Sequence, residues 1–103
     1  MARMLVIYKV PRNKEAFNKH YFGVHVPLAK KLPGLRKYDV SDGPIIPMNG
    51  AGESHLIAIL HFDDMASLRT AFASEIGQAC AADRKVLAND SEVQTFLFEG
   101  REL

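Results

Sequence analysis

Met4-Leu5-Val6-Ile7-Tyr8-Lys9-Val10 and His55-Leu56-Ile57-Ala58-Ile59-Leu60-His61-Phe62 are the two stretches on which the fold turns. Each is rich in β-branched and aromatic residues and almost continuously apolar, which predicts a strand with apolar side chains on both faces. Pro11 closes the first. Beyond it, Asn13 stands where it can cap a helix from Lys14, along which Phe17, Tyr21, Val24, Leu28 and Leu32 recur at spacings of three and four. Pro27 interrupts this pattern by removing a backbone donor and disfavouring the α conformation at Val26, so a kink or early end is expected over residues 25–27.

Pro33-Gly34 ends the helical segment, and Leu35 to Val40 alternates large and polar side chains as a second strand. Ser41 to Ser54, rich in Gly, Pro and Asn, reads as a mobile loop at the mouth of a pocket, with Gly43, Gly50 and Gly52 as hinges. After the third strand, Asp63-Asp64 open a helix that carries Met65, Leu68 and Phe72 inward. A break is expected at Ala73-Ser74, with Ser74 capping a second segment from Glu75 to about Leu87. Glu92 to Phe98 forms the last strand, ended by Gly100.

The order βαββαβ predicts an α+β, ferredoxin-like domain over residues 1–103, a four-stranded antiparallel sheet with the helices on one face. Two helices cover only one side, yet two strands are apolar on both. A second copy of the chain is the expected cover, giving a homodimer packed through the sheet face.

Composition narrows the function classes. A length of 103 residues suits one domain, and 48% hydrophobic with 24% charged residues is a globular balance. Thirteen basic and twelve acidic residues leave a net charge of +1, too little to grip phosphates, so no nucleic-acid partner is expected. The lone Cys80 makes no internal disulfide or structural zinc site, which points to the cytoplasm. The opening apolar run stops at Lys9, short of the roughly 20 residues of a membrane span or the roughly 7–15 of a signal-peptide core. Neither processing nor a membrane partner is expected.

No G-x-G-x-x-G, Walker loop, nucleophile elbow, H-E-x-x-H or C-x-x-C occurs, which leaves four histidines, three tyrosines and one cysteine to carry chemistry. On a regular helix His20 and His25 fall on opposite flanks of the apolar stripe. His25 stands at the Pro27 discontinuity, four residues after Tyr21, where an imidazole and a phenol can pair for acid/base work; the bland alternative is a half-buried ring bonding a carbonyl freed by the kink. His55 and His61 share a strand face but lie roughly 20 Å apart at about 3.3 Å per residue, too far to chelate one metal, and no metal is expected. Tyr38 either fills the core or aims its hydroxyl into a pocket. Asp83 falls on an inward stripe with Ile76, Ala79, Cys80 and Leu87, as a hydrogen-bond acceptor or as the group that orients a histidine. Cys80 reads as a small buried hydrophobe.

The run Tyr21-Phe22-Gly23-Val24-His25-Val26-Pro27-Leu28-Ala29-Lys30-Lys31-Leu32-Pro33-Gly34-Leu35-Arg36-Lys37-Tyr38, with Gly77-Gln78-Ala79 and Ala82-Asp83, resembles the EthD family of the dimeric α+β barrel superfamily, named for a gene in ethyl tert-butyl ether degradation. The resemblance covers nearly the whole chain. It implies a homodimer with a pocket between sheet and helices. It also implies a choice of chemistries, because the superfamily includes muconolactone-type isomerases, cofactor-free monooxygenases and polyketide cyclases. In a methylmuconolactone methylisomerase of this kind, the residues matching His25 and Tyr38 are catalytic. A third-strand cysteine also used there is replaced here by Leu60, so that reaction does not carry over.

The expected function is therefore a cofactor-free enzyme of catabolism or secondary metabolism, an isomerase, cyclase or lyase moving a proton on a cyclic oxygenated substrate. His25 and Tyr38 are the expected catalytic residues, and Tyr21, His61, Phe72 and Asp83 the expected substrate contacts. The partner would be a small hydrophobic or aromatic metabolite. The alternative is a non-catalytic binder of such a metabolite, or an accessory protein to an oxygenase pathway.

Overall fold

The computed structural model describes residues 1–50 and 52–103; Ala51, within the expected 41–54 loop, lies outside them. Strand β1 (Ala2–Tyr8) leads into helix α1 (Lys14–His20), a π-helical turn (Tyr21–His25) and a short helix α2 (Val26–Ala29). Strands β2 (Lys37–Val40) and β3 (Leu56–Phe62) follow, then helices α3 (Met65–Ala73) and α4 (Glu75–Leu87) and strand β4 (Val93–Glu99). The strands pair antiparallel in the order β2-β3-β1-β4, the ferredoxin-like α+β arrangement that the element order predicts. β1 starts two residues before Met4 because Ala2 is paired on both sides, with Phe62 and Glu99. Among the described residues no helix is long and apolar enough to cross a membrane.

Strand register assigns the faces. Ala2, Met4, Val6 and Tyr8 stand opposite Phe62, Leu60, Ala58 and Leu56, and these even positions turn to the helices, where most are buried. Leu5 and Ile7 stand opposite Ile59 and Ile57 and turn the other way, together with Phe96 and Phe98 of β4. Among the described residues no helix lies over that second face, and Phe96 and Phe98 are 47% and 39% exposed. The two-sided apolar strands thus have one side in the core and one side uncovered within a single chain.

Helix starts follow their caps. The side chains of Asn13, Asp64 and Ser74 accept from the backbone N–H of Ala16, Ser67 and Gly77, at 3.0, 2.7 and 3.1 Å. Ser74 also marks the break between α3 and α4. Gly77 is needed one turn later, since a Cβ there would collide with the backbone of Ala71 and Phe72.

The helix across Pro27 neither ends nor breaks; it widens. The N–H of Val26 reaches back five residues to the carbonyl of Tyr21. In a straight α-helix the Pro27 ring would press on the Gly23 carbonyl, and one wide turn opens the spacing there. The extra residue rotates everything after it. Consequently the buried stripe runs Phe17, Tyr21, His25 and Ala29, while Val24, expected on that stripe, is 47% exposed.

The connection from β2 to β3 also departs from expectation. Its ends are tied by the N–H of Ser41 to the Ile57 carbonyl and the N–H of His55 to the Tyr8 carbonyl, and His55 Nε2 lies 2.7 Å from Asn18 Oδ1. Its described residues wall an open hollow with Lys14, Asn18 and Phe22, and none of them lines the cavity described next.

Candidate active site

The inward face of the sheet and the helices packed on it border a cavity of about 180 Å³. Met4, Val6, Leu32, Leu60 and Phe72 give it apolar walls, and Tyr8, Tyr21, Tyr38, His25 and Arg84 supply its polar groups. Each polar group arrives from a different constraint. Tyr8 and Tyr38 hold inward positions of β1 and β2, Tyr21 and His25 are the first and last residues of the π turn, and Arg84 comes from α4.

His25 is the most constrained. Its Nδ1 lies 2.8 Å from Asp83 Oδ2, and the ring tilts against Tyr21 with centroids 5.4 Å apart. An ionised carboxylate only accepts, so Nδ1 donates and the unshared pair of His25 is on Nε2. Burial holds the His25 pKa below its ordinary value, against the opposing pull of Asp83. The ring is therefore neutral at pH 7 and able to take a proton. For Asp83, burial acts to raise the pKa, but the hydrogen bonds from His20 and His25 outweigh it and the carboxyl sits below its usual range. Both shifts describe one state, a carboxylate bonded by a neutral imidazole.

The Tyr21 and Tyr38 hydroxyls meet at 2.6 Å. One proton lies between the two oxygens, leaving the second phenol free to donate into the cavity. Burial raises the pKa of Tyr21, Tyr38 and Tyr8, which keeps all three as donors at neutral pH. Arg84, also in the lining, donates to the Ala88 carbonyl and to Asp90. The set suits an oxygen that gains negative charge, with one base and several donors around it. Among the described residues no group of three or more His, Cys, Asp or Glu is arranged to hold a metal ion.

The structure brings together His25, Tyr38, Tyr21 and Phe72, and separates two other expected contacts from them. His61 is an odd position of β3, so strand alternation puts it on the uncovered face, 3.1 Å from Asp39 Oδ2. Asp83 does not line the cavity, and both its oxygens are held by imidazoles. Tyr8 and Arg84 in the cavity lining, and His20 as a partner of Asp83, lie outside the residues expected from the sequence. The shared parity of Tyr8 with Met4 and Val6 was a usable signal. His20 gave none, since only the π turn brings His25 round to its side of the helix.

A match to the EthD domain spans residues 11–91. The chain belongs to the EthD family. An uncharacterised 11.0 kDa protein from the thcB-thcC intergenic region of Rhodococcus erythropolis is 32% identical over 96% of this chain and 95% of its own length. The solved structure of an EthD family protein from Bacillus halodurans C-125 superposes with a TM-score of 0.87 at 30% identity, over 98% of this chain and 99% of that one. Two distant structures share the fold. SnoaB, a cofactor-independent oxygenase from Streptomyces nogalater, gives a TM-score of 0.67 at 17% identity, over 99% and 94% of the two chains. A dimeric ferredoxin-like protein of unknown function from Jannaschia sp. CCS1 gives 0.68 at 17%, over 96% and 98%.

Proposed function

We propose that this EthD protein is an enzyme of small-molecule metabolism that moves a proton on a cyclic, oxygenated substrate with its own side chains and no cofactor. The observation that carries this reading is the commitment of His25 Nδ1 to Asp83, which leaves Nε2 as the free base in a cavity whose tyrosine hydroxyls are neutral donors. His25 takes the proton, and the Tyr21–Tyr38 pair binds the carbonyl or hydroxyl oxygen on which charge develops. Phe72 packs against the ring of the substrate. An apolar cavity of about 150 Å³ takes up benzene, so a space of about 180 Å³ favours a single ring with few substituents. The similarity to SnoaB supports a small-molecule role for this fold, at the level of the fold alone.

The whole chain acts as one unit, and its working form is a homodimer. The reason is the uncovered face of Leu5, Ile7, Ile57, Ile59 and Phe96, too apolar to be left in water.

The test begins with a thermal-shift screen over monocyclic lactones, phenols and quinones, in which a specific ligand at a hundred times its dissociation constant raises stability by about 2.7 kcal/mol. Each hit is then incubated in deuterated water and followed by NMR. Exchange of an acidic C–H that the wild-type protein accelerates and His25→Ala does not is the expected result. Specific binding with no exchange in any hit would make the protein a binder and not an enzyme.

A further inference from the structure

Two imidazoles share one carboxylate. Asp83 Oδ1 lies 2.8 Å from His20 Nε2 and Asp83 Oδ2 lies 2.8 Å from His25 Nδ1. The three side chains form a gradient of exposure, 11% for His25, 15% for Asp83 and 32% for His20. At about 100° per residue, positions 20 and 25 of a regular α-helix would diverge by about 140° and could not reach the same group. The π turn between them closes a five-residue repeat, which brings the two rings onto one side of the helix. Such turns recur at functional sites, and this one has an identifiable product.

We propose that His20 is a positioning residue for His25: it grips the second oxygen of Asp83, so that the carboxylate stays fixed, His25 keeps its unshared pair on the cavity, and charge on the solvent-facing His20 ring weakens the support Asp83 gives to a proton on His25. This rests on the reading of His25 as the base. Because the carboxylate accepts from both rings, a neutral His20 must carry its proton on Nε2. A second proton then turns His20 into a cation beside Asp83, in competition with the imidazolium that His25 becomes during proton transfer. The interaction of the two rings already acts to lower the affinity of His25 for a proton. The other titratable groups around His25 are Cys80 and Arg84 of α4, Tyr8 of β1, Tyr38 of β2 and its own neighbour Tyr21. The phenols and the thiol, all raised by burial, stay neutral across the range in which imidazoles titrate, and arginine stays charged. Among the groups around His25, His20 is the other imidazole, and it is bonded to the same carboxylate.

Long-range ¹H–¹⁵N spectra of histidine-labelled full-length protein test this without any substrate, because they report tautomer and protonation for each ring. In the wild type, His25 is expected as the Nδ1–H tautomer with a titration spread over two coupled steps. His20→Gln keeps a donor for Asp83 Oδ1 but cannot take a proton. It is expected to retain the tautomer, collapse the curve to one step and move it to higher pH. His20→Ala releases the carboxylate and is expected to give mixed tautomers that His20→Gln does not show. If His20→Ala fails to fold, the single-step shift in His20→Gln decides alone. His25 curves and tautomers superimposable on wild type in the variants would overturn the proposal. The deuterium-exchange experiment on His25→Ala fails or succeeds separately, so loss of the catalytic reading is distinguishable from loss of the role of His20.

Discussion

His25 and Asp83 stand 58 positions apart in the chain and 2.8 Å apart in space, an imidazole from the end of a π turn donating to a carboxylate from the middle of α4. The contact sets the tautomer of His25 and so decides which ring nitrogen keeps its unshared pair. Asp83 itself does not line the cavity, so the carboxylate acts on chemistry only through the histidines.

Replacing His25 by alanine should lower turnover of an identified substrate by roughly 10²–10⁴-fold. Removal of its hydrogen bond to Asp83 should cost about 1–3 kcal/mol of stability. The two effects separate in His25→Gln, which can still donate to Asp83 but offers no comparable base. Glutamine-variant turnover close to wild type would remove His25 from the chemistry.

The Tyr21–Tyr38 pair predicts a non-additive cycle. Either single change to phenylalanine leaves the other hydroxyl buried without its partner and should destabilise by about 1–3 kcal/mol. The double change deletes both hydroxyls, so its cost should fall below the sum of the singles. Urea unfolding of the four proteins measures this, and strict additivity would mean the bond at 2.6 Å contributes nothing.

Acid should destabilise the fold in two stages. His25 is held below its ordinary pKa by burial, so the unfolded chain takes up its proton first and stability declines as the pH falls through about 6.5. His55, lowered mainly by burial, acts in the same direction. Asp83, depressed by its two imidazole partners in spite of burial, contributes stability present above about pH 3.9 that is lost as the pH falls through its folded value. The urea midpoint should drop between pH 7.5 and 5, and His25→Gln should flatten that drop. A level wild-type midpoint over this range would contradict the assignment of His25 as a buried neutral ring.

Gly77→Ala should destabilise by about 1–3 kcal/mol or more, because the added methyl meets backbone atoms of Ala71 and Phe72 that cannot swing aside. Ser74→Ala, which removes the cap one turn earlier, should cost about 1 kcal/mol. Thermal melts compare the two, with the glycine variant expected lower.

Light scattering at micromolar concentration should give twice the mass of one chain. Phe96→Glu, on the uncovered sheet face, should shift the protein toward monomer while the far-ultraviolet circular dichroism is preserved. A wild-type monomer would leave the apolar outer face of β1 and β3 without its proposed cover.

Much of the architecture is local in origin. The apolar runs of β1 and β3, the caps Asn13, Asp64 and Ser74 and the Pro33-Gly34 stop each act within a few residues, so element order and antiparallel sheet follow from the sequence directly. The same strands announced a second apolar face. Three of the cavity's groups were legible, Tyr21 and His25 from their spacing of four and Tyr38 from the run that resembles the EthD family.

The phase of the helix was not legible, and with it went the rest of the site. Periodicity counts about 3.6 residues per turn and therefore passed the stripe through Val24, whereas one wide turn before Pro27 passes it through His25. The same wide turn brings His25 round to the side of His20, so that both reach Asp83. The separation of His61 from the cavity likewise needed strand register, since parity tells which residues share a face but not which face meets the helices. What the sequence determined alone is what short-range sterics and hydrogen bonding dictate. What the tertiary structure decided is how two helices and a sheet, each acceptable in several rotations, lock into the one arrangement that buries Tyr21 and His25 against Tyr38 and places Asp83 behind them.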